Sequence, residues 1–178
     1  MLNPREVKIN SEIKRVEELL TQIEQKKINL LNLYQNDKPT NLWTDEQASL
    51  WLESLLFKMP FSPLYFCASA DNQWTVIDGL QRLWTLQRFV LNTKSIQTFS
   101  NNSQEIETDS KPLALCDLKF YEHLQGLTFD RLPNPVQRSI TQAQVQCHIF
   151  AQDMPKSLLK ELTQRVNPKA IERLNTNK

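Results

Sequence analysis

Two glycines in 178 residues leave no room for a glycine-rich phosphate loop. Gly79 and Gly126 are too far apart for G-x-G-x-x-G or G-x-x-x-x-G-K-[ST], which excludes the standard dinucleotide and P-loop sites. Histidine is as scarce, with only His123 and His148, and there is no C-x-x-C. That argues against a zinc site or a histidine-rich nuclease centre. Cys67, Cys116 and Cys147 are odd in number and far apart, as expected of reduced thiols in a cytoplasm rather than a disulfide frame. No apolar run approaches the roughly 18 residues of a membrane span, and MLNPREVKINSEIK has no signal-peptide core. A net charge of +1 excludes a strongly basic nucleic-acid coat and leaves a local basic patch open.

What remains is the composition of a globular domain, 40% hydrophobic and 23% charged. Residues 1–27 read as one amphipathic helix. Asn3, Pro4 and Glu6 supply its cap signals, and Ile9, Ile13, Val16, Leu20 and Ile23 form an apolar stripe that also suits a homodimer arm. INLLNLY (28–34) reads as a strand, followed by a polar loop. Thr44 and Gln47 form a capping box for a helix whose apolar face includes Ala48, Trp51, Leu52, Leu55 and Leu56. LYFCA (64–68) and QWTVI (73–77) read as a hairpin. A helix follows Asp78 with Leu83, Leu86 and Val90 on one face. Residues 92–111 read as a polar surface excursion. Asp117 opens a short helix through Leu124, Asn134–Pro135 starts another, VQCHIF (145–150) is a strand, and Asp153 caps a last helix. Helices and short strands interleave without a strict βαβ rhythm, which is an α+β pattern.

The stretch VIDGLQR (76–82) admits two readings. In one, Asp78 caps the next helix, Gln81 completes a D-x-x-Q capping box, Gly79 permits a tight corner and Arg82 is solvated. In the other, a strand running into a helix exposes N–H groups that favour phosphate. Gly79 would then admit a ligand, Arg82 would fork onto phosphate oxygens, Asp78 would hold Mg²⁺, and Gln81 would orient water.

The context of this stretch carries a family resemblance. LWTDEQASLWLESLLFKMPFSPLYF (42–66), then WTVIDGLQRLWTLQRFV (74–90), resembles the N-terminal domain of GmrSD-type modification-dependent restriction enzymes and related phage-defence proteins. LKFYEHLQGLTFDRLPNPVQRSI and LLKELTQRVNP are similar to later segments of the same family. The resemblance covers about residues 28–168. It implies a ParB/sulfiredoxin-like α+β domain, over 28–178, with a small mixed sheet flanked by helices. It also implies nucleotide binding, often with Mg²⁺-dependent triphosphate hydrolysis, at Asp78, Gly79, Gln81 and Arg82, with Gln35, Arg165 and Asn167 as further nucleotide-binding positions. The implied partners are a nucleotide and either DNA or a separate nuclease subunit.

Several positions depart from the family wording. Leu80 replaces a usual glutamine. Asn36 stands where an arginine usually follows Gln35, and the segment after Arg165 lacks a glycine pair. No His-Asn-His nuclease segment follows, so the expectation is a C-terminally shortened regulatory domain. A non-catalytic DNA- or protein-interaction module is the alternative. Trp51 and Trp74 read as core residues rather than base-stacking platforms, and Cys67 and Cys147 as buried inert thiols.

Overall fold

The computed structural model describes residues 6–30, 42–69, 71, 73–91, 112–151 and 153–167. Five strands and five α-helices are described: β1 (Ile9–Arg15), α1 (Val16–Glu24), β2 (Ile28–Asn29), α2 (Asp45–Leu56), β3 (Leu64–Ala68), β4 (Trp74–Asp78), α3 (Leu80–Val90), α4 (Asn134–Thr141), β5 (Gln144–Phe150) and α5 (Lys156–Val166). The strands form one mixed sheet in the order β1-β5-β3-β4-β2. β1–β5 and β3–β4 are antiparallel, whereas β5–β3 and β4–β2 are parallel. The expected α+β class, a mixed sheet flanked by helices, is what the chain adopts.

Alternation along the strands sorts the core into two layers. Leu64, Phe66, Val76, Cys147 and Ile149 join the main core with residues of α1 to α4. Cys67, Ile77 and Phe150 face the other way, against Met154, Leu158 and Leu159 around α5. Cys67 and Cys147 are buried thiols, as expected, and burial raises both, Cys147 to about 11. Partly buried Trp51 and Trp74 pack against the main core, and Trp84 is buried, 4% exposed.

The N-terminal segment corrects the sequence reading. Residues 9–15 are an edge strand, paired with β5 from Ile9↔Phe150 to Arg15↔Gln144, and only 16–24 are helical. A spacing of four puts Ile9 and Ile13 on one face of a strand as well as of a helix. The apolar stripe is therefore split. Ile9 and Ile13 stay exposed on β1, while Val16, Leu20 and Ile23 are buried in the domain's own core, so they are not a helical seam for a second copy.

Other elements differ at their ends. Thr44 and Gln47 make the expected reciprocal capping box on α2. α4 and α5 are capped by Pro133 and Pro155, not by Asn134 and Asp153. Asp153 pairs with Lys8 instead. Asp117 takes a left-handed backbone, and the short helix expected after it shrinks to a 3-10 turn at Glu122–Leu124. The strand expected over 28–34 is described only at Ile28–Asn29. Its remainder, Gln35, the 92–111 excursion and the Asn3–Pro4 cap signals lie outside the described residues.

Candidate functional site

The corner between β4 and α3 is built around a glycine. Gly79 is the N-cap of α3 with φ 98°, in the left-handed region. An added Cβ would meet Leu64 Cδ2 at 2.2 Å and Arg82 Nη2 at 3.1 Å. Only glycine combines this backbone with this closeness. Gly79→Ala is expected to lose about 3 kcal/mol, part from left-handed strain and part from displacing buried Leu64. A urea melt should show the midpoint fall.

Asp78 is not the helix cap. It stays in β4, opposite Tyr65 across a register shift, so the corner passes to Gly79. Its carboxylate is turned to two partners, one a turn along α3 and one from the end of α5. Arg82 Nη2 donates to Asp78 Oδ2 at 3.2 Å, and Asn167 Nδ2 donates to Oδ1 at 3.0 Å. Burial pushes the Asp78 pKa above the ordinary carboxylate value. The Arg82 charge, the Gly79 N–H and the Asn167 amide oppose it in part.

Arg82 is equally engaged. Its side chain is 11% exposed, so the solvated arginine of the capping reading is not what forms. Nη1 donates to the Ser62 carbonyl, and Nη2 donates to the Pro63 carbonyl at 3.2 Å as well as to Asp78. Burial lowers its pKa, and the facing Asp78 raises it again. The guanidinium therefore ties the residues before β3 to the end of β4. Gln81 does not close a capping box with Asp78. Its Oε1 accepts from the Trp43 backbone N–H at 3.0 Å, joining α3 to the entry of α2.

The fold thus gathers Asp78, Gly79, Gln81, Arg82 and, from the end of α5, Asn167. Arg165 stands apart, 72% exposed and held by Glu161 at 2.8 Å. Sequence reasoning missed the Ser62 and Pro63 carbonyls and the Trp43 N–H. Backbone groups carry no residue signature, and only the proline-bounded segment before β3 marked the place. Among the described residues no group of three or more His, Cys, Asp or Glu is arranged for a metal.

These features define an α+β domain whose polar centre is a strand–glycine–helix corner clamped by a partly buried arginine–aspartate pair. The model of the GmrSD restriction endonuclease N-terminal domain matches residues 16–178, and the chain belongs to that family. No curated protein and no solved structure matches it. No described helix is long and apolar enough to cross a membrane.

Proposed function

We propose that this chain is a nucleotide-binding regulatory domain of a restriction or phage-defence system, with a ParB/sulfiredoxin-like layout and its site at the β4–α3 corner. The observation that carries the reading is the meeting of Asp78 and Asn167, 89 residues apart, beside the start of α3. The first-turn N–H groups of α3 and its dipole suit a phosphate. Gly79 supplies the left-handed turn that presents those N–H groups at the corner. Arg82 supplies positive charge and Gln81 an amide for water.

Mg²⁺ takes one or two carboxylates and fills its shell with phosphate oxygens and water. One half-buried carboxylate, already hydrogen-bonded on both oxygens, fits a cation brought in by a triphosphate rather than one held by protein alone. Asp78 would be its protein ligand. The ion would supply charge neutralisation for the phosphate chain, while Arg82, Asn167 and the α3 N–H groups hold and orient that chain. DNA or a separate nuclease subunit is the downstream partner in this reading.

A second reading is carried by Arg82 itself. Its donors are already matched to two carbonyls and Asp78, so the motif would serve as a structural latch in a non-catalytic DNA- or protein-interaction module.

Asn167→Asp separates the two. It sets a second carboxylate against Asp78 without touching Arg82 or the α3 backbone. On the nucleotide reading, one of ATP, GTP, CTP or UTP with Mg²⁺ raises the wild-type melting temperature, by about 2.7 kcal/mol of stability at 100 times its Kd. The variant should bind it at least about tenfold more weakly, since it replaces the Asn167 amide donor by a carboxylate facing the phosphate chain and tenfold is only about 1.4 kcal/mol. If no nucleotide at millimolar concentration moves the wild type, the latch reading stands.

A further inference from the structure

A second surface feature lies away from the β4–α3 corner. It is a cleft of about 470 Å³ where the C-terminal ends of α2 and α4 meet the start of β5. That volume falls in the range of small-molecule sites. Leu55, Met59 and Phe61 supply apolar lining. Lys58 and Arg138 bring two cations, and Gln142 and Gln144 add amides. Among the described residues no acidic side chain lines it.

The charge balance identifies the ligand class. Two helix C-termini contribute about half a negative charge each. The two cations exceed that sum by about one positive charge. Neither Lys58 nor Arg138 forms an ion pair among the described residues. An apolar floor that includes the Phe61 ring, with a surplus of positive charge, suits an aromatic body carrying an anionic group.

The backbone of Lys58 is also held. It follows the C-cap of α2 with φ 56°, in the left-handed region. Lys58 N–H donates to the Leu55 carbonyl at 2.9 Å, and Met59 N–H to the Ser54 carbonyl at 3.2 Å. This is a Schellman ending with lysine at the position where glycine is the least strained choice. The backbone therefore sets where the Lys58 side chain leaves the chain.

We infer that this cleft binds a small aromatic anion, with the ring on Leu55, Met59 and Phe61 and the anionic group on Lys58 and Arg138. The site is independent of the nucleotide reading.

The test is a titration of the full chain with 1-naphthyl phosphate, with 1-naphthol as the uncharged control. The variants are Lys58→Gly, Arg138→Gln and, away from the cleft, Asn167→Asp. Lys58→Gly removes the cation while relieving the left-handed strain, so its melting temperature should rise by about 2 °C. That separates loss of the site from loss of the fold. The expected result is saturable binding of naphthyl phosphate that salt weakens, with at least about tenfold loss in each cleft variant and none in Asn167→Asp. Equal affinity in wild type and both cleft variants overturns the assignment. So does naphthol binding as tightly as its phosphate, an equal loss in Asn167→Asp, or no saturable binding at millimolar ligand.

Discussion

Glu53→Ala is expected to lose about 4 kcal/mol of stability and to lower the melting temperature by roughly 12 °C. Glu53 lies on α2 and is 2% exposed, one of four buried polar or charged side chains among the described residues. Its Oε1 accepts backbone N–H donors from Lys119 at 3.0 Å, Phe120 at 2.7 Å and Tyr121 at 2.9 Å. One carboxylate thus pins a loop 66 residues downstream onto α2. Truncation removes the acceptor and leaves three part-buried N–H groups without their charged partner. The loop also carries Phe120, 74% exposed, whose ring stands edge-on to Phe57 at 4.9 Å. Loosening of the loop should therefore appear as faster exchange of the 119–121 amides.

The same residue sets a pH dependence with a definite sign. Burial alone would raise the Glu53 pKa. The backbone donors at Phe120, Tyr121 and Lys119 outweigh it, and the net direction is down. A group whose folded pKa is depressed contributes stability that is present above its unfolded pKa and lost as pH falls through the folded value. The wild type should therefore lose stability on the acid side, below the ordinary glutamate range. Glu53→Gln keeps one acceptor oxygen and cannot ionise, so it should be less stable at neutral pH and should lack this part of the acid loss. An acid limb of equal steepness in both proteins would show that Glu53 is not the group responsible.

Local signals in the sequence were reliable guides to local structure. The Thr44–Gln47 capping box, the 64–68 and 74–78 strands and the 144–150 strand each depend on neighbouring residues, and each forms close to where the pattern places it. The N-terminal strand was misread because its evidence is long-range. Its partner β5 begins more than a hundred residues later, and the Ile9–Ile13 spacing of four serves strand and helix alike. Glu53 is a similar case. Its glutamate sits inside the run Leu52-Glu53-Ser54-Leu55 and carries no mark of its distant N–H partners.

The corner at Asp78 was legible as a place but not as a geometry. The D-x-x-Q spacing is that of a capping box, yet the register shift at Tyr65 holds Asp78 in the sheet and leaves the cap to Gly79. Freed from capping, the carboxylate meets Arg82 one turn along α3 and Asn167 from α5. Residue types and spacing within 76–82 contain nothing about Asn167. Asn167 was expected there only from the family resemblance, and what the fold shows of it is its hydrogen bond to Asp78.

Arg82→Ala should be the most damaging change at this corner, with a loss of about 3–5 kcal/mol, because it leaves Asp78 ionised and half-buried without its countercharge. It also strips the Ser62 and Pro63 carbonyls of their donor. Two further variants divide these contributions. Arg82→Met keeps much of the buried volume and removes only the charge and the donors. Asp78→Asn/Arg82→Met removes both charges together, so a less severe loss than in Arg82→Met alone measures the penalty of the stranded carboxylate. A coupling of about 2 kcal/mol between positions 78 and 82 is expected from urea melts of the four proteins of the cycle. Near-additive losses would place the role of Arg82 in the two carbonyls, making it a tie between the start of β3 and α3. A large coupling makes Asp78 and Arg82 one electrostatic unit, in which anything that engages Asp78 must also change what Arg82 does. That is the physical link through which a ligand at this corner would be felt at Ser62 and Pro63, and through Gln81 and Trp43 at the entry to α2.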